Sequence, residues 1–223
     1  GTVLRKDKGL VFVNLGKLEG VIGPNEQIKG EEYNFNEKLK LYIVEVKNAS
    51  KGAQIHVSRT HPGLVKRLFE LEVPEIYEGV VEIKSISREA GSRSKIAVYS
   101  NDESVDAMGA CVGPKGVRVQ NIVNELKNEK IDIIKWSKDP AEFIANSLSP
   151  AKVLSVTVNE EEKSAKVVVD DNQLSLAIGK EGQNVRLAAK LTNWKIDIKS
   201  KSQALQEEEE AISKEEIVEN VDS

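Results

Sequence analysis

The chain has 223 residues, of which 39% are hydrophobic and only 4% aromatic. This composition can form several small cores rather than one large aromatic-rich core, so two or three compact domains are expected. The formal net charge is −4, which by itself argues against a nucleic-acid partner, because such binding depends on basic surfaces. A single cysteine, Cys111, excludes an intramolecular disulfide and a cysteine-rich metal site.

The charge is unevenly distributed along the chain. Residues 200–223 carry Lys201 and Lys214 against seven glutamates and Asp222, a net of −6, so residues 1–199 carry a net of +2. The glutamate run 207–210 and the lack of aromatic residues predict that 201–223 is an acidic tail, disordered or at most a frayed helix. The acidity therefore belongs to the tail, and a nucleic-acid partner for the rest of the chain is not excluded.

The sequence shows no sign of a membrane segment. No stretch approaches the roughly 18 consecutive apolar residues that a membrane span needs, and the N-terminus lacks a signal-peptide pattern. We therefore expect a cytoplasmic protein with no membrane partner. Residue 1 is Gly rather than Met, which suggests that the chain was processed or cut from a longer protein.

Residues 1–60 are predicted to form a small all-β domain. Short β-branched runs recur at 11–15, 18–24, 40–46 and 53–58, and their spacing is typical of strands. Four or five strands in so short a segment favour a barrel over a sandwich. A helix is predicted to follow over about 62–71.

Residues 61–200 contain an internal repeat. The tetrapeptide Lys-Ile-Asp-Ile occurs at 130–133 and 195–198, and a Gly-x-x-Gly lies upstream of each, at 113–116 and 179–182. The glycine pairs are 66 residues apart and the tetrapeptides 65, which is typical of duplicated domains. Each half, 61–137 and 138–200, predicts the order α-β-β-α-α-β.

The Gly-x-x-Gly pairs have a chemistry that suits a sugar-phosphate backbone. Two glycines at i and i+3 let the backbone of a nucleic acid approach the main chain between two helices. The N–H groups at the start of the second helix would face the phosphates, and Lys115 or Lys180 would add positive charge. Such a clamp usually holds about four nucleotides. A tight turn between helices would explain one copy, and a third copy at 20–23 is expected by chance.

The repeated order, with Gly-x-x-Gly between its two later helices, resembles the prokaryotic (type II) KH domain, and residues 1–60 resemble the S1-type OB-fold barrel. Joined through SRTHPGLV at 58–65 and LEVPEI at 71–76, they closely resemble the NusA family of bacterial transcription termination and antitermination factors. The implied fold is multidomain: an all-β OB-fold (S1-like) barrel followed by two α+β type II KH domains (α-β-β-α-α-β) in an elongated array.

The resemblance implies an RNA-binding transcription elongation factor that binds single-stranded nascent RNA through the S1 and both KH domains. It would modulate RNA polymerase pausing, termination and antitermination. RNA polymerase, contacted by a domain preceding Gly1 in the full-length protein, and other transcription or antitermination factors are the implied partners of a monomer. The residues expected to contact RNA are Phe12, Gly113, Pro114, Lys115, Gly116, Arg118, Gly179, Lys180, Glu181, Gly182, Gln183, Asn184 and Arg186. Tyr33 and Phe35 are further aromatic candidates.

Catalysis is not expected. His56 and His61 form neither a helix-face metal pair nor a His-Glu-x-x-His motif, and no Walker-type phosphate loop occurs. No catalytic residue, metal ligand or cofactor is therefore predicted. Two alternatives stay open: an RNA-binding accessory region of an RNA-processing or exoribonuclease assembly, where a single KH domain would precede the barrel, and a protein-protein scaffold with degenerate KH domains.

Overall fold

The computed structural model describes residues 1–221 of the chain. They divide between two compact units, Gly1–Ile133 and the residues from Ile134 onward. Among the described residues, none of the helices combines the length and the apolar character needed to cross a bilayer.

A five-stranded sheet forms the N-terminal part of the first unit. Its strands are β1 (Thr2–Asp7), β2 (Leu10–Asn14), β3 (Glu19–Ile22), β4 (Tyr42–Ala49) and β5 (Gly52–Ser58), in the order β1-β2-β3-β5-β4. Neighbours are antiparallel except β3 and β5, which are parallel. β1 and β4 are the outer strands, so within residues 1–221 the sheet is not closed, and the predicted barrel is not confirmed.

The two faces of this sheet differ, because successive side chains of a strand point to opposite sides. Val11 and Val13 of β2 are buried in a core with Val3, Ile22 and Val57. Phe12, between the two valines, is only half-buried and lies on the opposite face. The alternation of β2 therefore places one aromatic ring outside the core.

An α/β part follows in the same unit. Its elements are α1 (Pro62–Glu72), α2 (Pro74–Tyr77), β6 (Val81–Glu89), β7 (Arg93–Ser100), α3 (Ala107–Val112), α4 (Val117–Glu125) and β8 (Lys130–Lys135). The strands form a sheet in the order β6-β7-β8. Apolar side chains of α1 and α4, among them Phe69 and Ile122, pack in one core with Ile96 and Val98 of β7. The helix predicted over 62–71 is confirmed.

A buried ionic network joins the N-terminal sheet to this α/β part. Arg59 has no exposed surface. Its Nη2 lies 2.8 Å from Glu31 Oε1, and its Nη1 lies 3.3 Å from Glu125 Oε1 on α4. Because a buried cation is stable only when it is paired, Arg59 holds the two parts together as one compact unit.

The second unit repeats the α/β order. Its elements are α5 (Pro140–Ser147), β9 (Ser155–Asn159), β10 (Ser164–Val169), α6 (Leu174–Ile178), α7 (Gln183–Thr192), β11 (Lys195–Ser200) and α8 (Lys201–Val221). β10 is antiparallel to β9 and parallel to β11. Ile144 of α5, Val167 of β10 and Ala188 of α7 belong to its core. Apart from the additional short α2 in the first half, both halves therefore have the predicted α-β-β-α-α-β order.

The C-terminal segment corrects the prediction of a disordered tail over 201–223, because α8 is helical from Lys201 to Val221. The first turn is fixed to the second unit. Ser202 N donates to Asp171 Oδ1 at 3.1 Å, and Lys199 pairs with Glu207. The charge and the lack of aromatic residues favour disorder, but the segment is also rich in Glu, Gln, Ala, Leu and Lys, which are good helix formers. Residues 222 and 223 lie outside the described residues.

Candidate nucleic-acid interface

The Gly-x-x-Gly loops at 113–116 and 179–182 have the same backbone shape. A single 3-10 turn, Pro114–Gly116 or Lys180–Gly182, leads into α4 or α7. The first glycines have φ/ψ of 77°/171° and 80°/169°. The third positions, Lys115 and Glu181, are left-handed at 55°/24° and 55°/27°. The two loops are therefore equivalent structures, as the matched spacing predicts.

The first glycine of each loop is required by space as well as by its positive φ. A Cβ atom on Gly113 would lie 2.6 Å from Cγ of Arg118, and a Cβ atom on Gly179 would lie 2.7 Å from the backbone nitrogen of Asn184. Approaches below 3 Å force neighbouring atoms to move. The glycines thus let each loop fold closely onto the helix that follows it.

The third Gly-x-x-Gly, at 20–23, is a different structure. Gly20 and the two residues after it belong to β3, and a 3-10 turn over Pro24–Glu26 follows instead of an α-helix. This copy leads into no helix N-terminus, which agrees with its interpretation as a chance match.

The N-termini of α4 and α7 are open. Within residues 1–221, no side chain caps the first turn of either helix, because the N-cap residues are Gly116 and Gly182. The first helices of the two α/β parts differ, since α1 and α5 are capped by His61 and Asp139. The first N–H groups of a helix have no intrahelical partner and carry about half a positive charge in total. The amides of Val117 and Gln183, the first residues of α4 and α7, donate to the Pro114 and Lys180 oxygens of the loops. Neither helix has an acidic side chain in its first turn, so the positive end of each helix dipole lies behind its loop and favours an anion there.

The charged side chains of the two loops differ. Pro114 and Lys115 are exposed in the first loop, and Lys180 and Glu181 in the second. The first loop thus carries one positive charge, whereas Lys180 and Glu181 cancel.

Two helix residues add polar groups beside the second loop. The exposed Arg186 lies one turn into α7, and its Nη1 donates to the backbone oxygen of Glu181 at 2.9 Å. Gln183, the first residue of α7, is half-buried. Arg186 therefore adds a positive charge beside the second loop, in which the charges of Lys180 and Glu181 cancel.

Two of the residues expected to contact RNA are instead engaged within the protein. Arg118 Nη1 donates to Glu75 Oε2 at 2.9 Å and to the Ala110 oxygen at 2.8 Å. Asn184 is 2% exposed, and its Nδ2 donates to the Leu148 and Ala177 oxygens. This burial argues against the prediction that Asn184 contacts RNA directly, because its side-chain amide is not accessible to a ligand.

Phe12 lines a separate cleft of about 340 Å³ in the first unit. The other walls are formed by residues 19–21 of β3 and by 50–54 around the β4–β5 turn. The guanidinium carbon of Arg5 lies 4.3 Å from the centroid of the Phe12 ring, a cation–π distance. The sequence did not predict a role for Arg5 in this cleft. Arg5 lies beside Phe12 only because β1 pairs with β2 in the sheet.

The other two aromatic candidates separate clearly in the structure. Tyr33 is 4% exposed and belongs to the core of the sheet. Phe35 is 80% exposed. Only Phe35 is therefore accessible to a ligand.

Groups that could support catalysis or metal binding are not gathered near the loops. In the part of the chain that the structure describes, no cluster of three or more His, Cys, Asp or Glu side chains could hold a metal ion. Cys111 is fully buried at the end of α3, and burial raises the pKa of its thiol to about 12. The thiol is therefore protonated at neutral pH and unsuited to act as a nucleophile.

Two α-β-β-α-α-β repeats, each with a Gly-x-x-Gly loop before an open helix N-terminus, define a tandem KH-domain protein. Residues 59–136 match the family model of the NusA-like first KH domain, and residues 140–206 match that of the NusA-like second KH domain. The chain belongs to the NusA family, which confirms the resemblance seen in the sequence.

Curated relatives agree with this assignment. The chain is 63% identical over 204 residues to the "Transcription termination/antitermination protein NusA" of Halalkalibacterium halodurans, covering 92% of this chain and 53% of the relative. Identity to the Bacillus subtilis protein of the same name is also 63%, covering 92% and 55%. Identity to the Mycobacterium bovis protein is 56%, covering 86% and 57%. The chain spans about half the length of the curated relatives it matches.

Proposed function

We propose that this chain is the RNA-binding part of a transcription termination and antitermination factor, and that it binds single-stranded nascent RNA through its two Gly-x-x-Gly loops. The observation that carries the proposal is the pair of uncapped helix N-termini behind loops of the same shape. The names of the relatives, transcription termination/antitermination proteins, support the role in transcription.

The loops would hold the sugar-phosphate backbone, and the adjoining surfaces would hold the bases. Gly116 and Gly182, where an added Cβ would have at most one neighbour within 4 Å, would present no side chain to an approaching phosphate, and the positive ends of α4 and α7 would attract it. Lys115 and Lys180 would add electrostatic attraction, which is largely independent of RNA sequence. Bases of about four nucleotides per domain would lie along the helix that follows each loop and its neighbouring strand.

The N-terminal sheet would add a stacking site. We propose that it is an S1-type module in which Phe12 stacks on a base, while Arg5 holds the other face of the ring. Stacking on an aromatic side chain contributes about 1–3 kcal/mol per base. The cleft beside Phe12 also contains Lys51, which would neutralise a nearby phosphate.

The remaining parts of the proposal concern the whole protein. The whole protein would be a monomeric cytoplasmic factor without catalytic activity. Together with other transcription factors, it would modulate RNA polymerase pausing, termination and antitermination. We also propose that the chain divides into an S1-type domain over 1–60 and KH domains over 61–137 and 138–200.

The test is the affinity of the chain for unstructured RNA. Fluorescence anisotropy with a fluorescein-labelled single-stranded RNA, titrated over a range of salt concentrations, should give a slope of log affinity against log salt of about −3 to −4, as expected for four to six phosphate contacts. Absence of binding at low salt, or a flat salt response, would contradict the proposal and favour the scaffold function.

A further inference from the structure

The residue five positions after the first glycine of each loop connects that loop to the rest of its domain. This residue is Arg118 in the first KH domain and Asn184 in the second. We propose that both are positioning residues that fix the Gly-x-x-Gly loop in its binding shape, and that neither contacts RNA. The proposal rests on the proposed RNA-binding function of the loops, but it concerns their conformation in the free protein.

In the first KH domain, Arg118 of α4 links three helices through one nitrogen. Its Nη1 donates to the backbone oxygen of Ala110 on α3 and to Glu75 Oε2 on α2. The positive charge of Arg118 therefore faces a carboxylate, and charge-assisted hydrogen bonds of this kind are stronger than neutral ones.

The aliphatic part of Arg118 lies against Gly113. A Cβ atom on this glycine would meet Cβ, Cγ and Cδ of Arg118 at 2.6–2.9 Å. The stem of the side chain supports the loop from the protein side, while Pro114 and Lys115 are exposed to solvent. Arg118 therefore contacts the first residue of the loop and anchors the helices on both sides of it.

In the second KH domain, Asn184 of α7 makes the corresponding connections with a shorter side chain. Its Nδ2 donates to the Ala177 oxygen on α6 at 2.9 Å and to the Leu148 oxygen at the end of α5 at 3.0 Å. The backbone nitrogen and Cβ of Asn184 also lie where a Cβ on Gly179 would be, at 2.7 and 2.8 Å.

The two domains thus preserve the connections although the side chains differ in charge and length. In each, the side chain donates to a carbonyl of the helix that precedes the loop and to a second acceptor that lies before the first strand of the domain. A phosphate-binding residue would be expected to preserve its charge instead. The shared property is hydrogen-bond donation toward the protein interior, which is the property of a positioning residue.

The consequence for binding is geometric. Donors of the loop and of the adjoining helix can bind a phosphate only if the loop holds it at hydrogen-bond distance, about 2.7–3.2 Å. A loop that moves by even 1 Å would lengthen these bonds. Removing either positioning residue should therefore weaken RNA binding without removing a contact to RNA.

The experiment compares amide hydrogen exchange with RNA affinity in the complete chain. Gly116 N donates to the Gly113 oxygen, and Gly182 N donates to the Gly179 oxygen, both at 3.1 Å, so these amides report on the two loops in the absence of RNA. In Arg118→Ala, we expect exchange of the Gly116 amide to accelerate by about 10-fold. Asn184→Ala should accelerate Gly182 in the same way, and each variant should leave the other loop unchanged.

RNA affinity, measured by anisotropy, should fall by about 5-fold in each variant. Lys115→Ala is the matched control, since it should lower the affinity while the exchange of Gly116 stays unchanged. Glu75→Ala is a second test of the first loop that keeps the Arg118 charge and removes a partly exposed group. A positioning role predicts faster exchange and weaker RNA binding in Glu75→Ala.

Two results would overturn the proposal. One is a loss of RNA affinity in Arg118→Ala with unchanged exchange of the Gly116 amide. The other is tighter RNA binding in Glu75→Ala. Either result would show that the Arg118 guanidinium binds RNA directly. If Asn184→Ala unfolds the second domain, Arg118→Ala and Glu75→Ala still decide the question. Failure of the unaltered chain to bind RNA would contradict the proposed function and leave the exchange results as the test of positioning.

Discussion

The two KH domains share a backbone and differ in how they use it. Their loops superpose in φ and ψ to within a few degrees at every glycine, yet the residues between the glycines are Pro-Lys in one and Lys-Glu in the other. The loop shape is fixed by glycines and by the residues beneath them. The exposed positions are free to vary in charge, and so to adjust affinity without changing the fold.

The repeated Lys-Ile-Asp-Ile tetrapeptide shows the same contrast in the sheets. Asp132 is 17% exposed in its side chain and accepts from the fully buried Lys95 at 2.9 Å, with Arg93 at 3.7 Å. Burial lowers the pKa of Lys95, while Asp132 acts against this decrease. Asp197, the equivalent residue, is 62% exposed and lies 3.8 Å from Lys199. Identical peptides are therefore part of a buried ion pair in one domain and of a solvated surface in the other.

The largest effect is expected when this contrast is tested by Asp132→Asn. The substitution removes the carboxylate that faces the buried Lys95 ammonium, and breaking such a buried pair costs about 3 kcal/mol of unfolding free energy. The matched variant Asp197→Asn should change the unfolding free energy by less than about 0.5 kcal/mol. Urea denaturation measures both. Equal effects at the two positions would contradict the assignment of different environments.

The next largest effect is expected when both loops are made acidic. Changing Pro114-Lys115 and Lys180-Glu181 each to Asp-Asp should weaken RNA binding by about 100-fold, because carboxylates would repel the phosphates in both domains. The double change Lys29→Asp and Lys138→Asp, outside the loops, is the control for net charge, since it makes the chain more negative by four charges and the loop changes make it more negative by five. Anisotropy that shows the same affinity as the unaltered chain would exclude the loops as the binding site.

Single charge changes should distinguish the two loops. Lys115→Ala should lower the affinity about 3-fold and reduce the salt slope by about 0.7, the contribution of one phosphate contact on a single strand. Glu181→Lys, at the equivalent left-handed position, should raise the affinity by a similar factor and steepen the slope by about 0.7. If Glu181→Lys lowers the affinity, the carboxylate itself contacts the RNA, and the loops differ in more than charge.

The smallest effect concerns the acidic helix α8. Its glutamates are expected to compete weakly with RNA for basic groups of the second KH domain, and Glu207 already pairs with Lys199. Truncation after Ser200 should therefore raise RNA affinity about 2-fold at low salt and have no effect at high salt, where such attraction is screened. Replacing Glu208, Glu209 and Glu210 by Gln is the control that keeps the chain length. Unchanged affinity at low salt would leave α8 as a solubilising segment.

The sequence predicted the repeat and its loops because both depend on local residue types. Glycine at positive φ, apolar residues at helical spacing and β-branched runs indicate their structures without knowledge of distant residues. It did not predict the roles of Arg118 and Asn184, since a cation and an amide beside a Gly-x-x-Gly loop suggest phosphate contacts until their partners, Glu75 and the Leu148 oxygen, are known.

The sequence by itself determined the family, the order of the elements and the position of both loops, because spacing and composition are properties of the chain. The tertiary structure alone decided which charges are available. It buried Arg59 between two carboxylates, paired Lys95 with Asp132, and brought Arg5 beside Phe12. Charge availability depends on burial and on partners far along the chain, and these are set only when the strands and helices pack together. The acidity of the chain follows the same rule, since it lies mainly in α8, while Lys115 and Lys180 of the two loops are exposed.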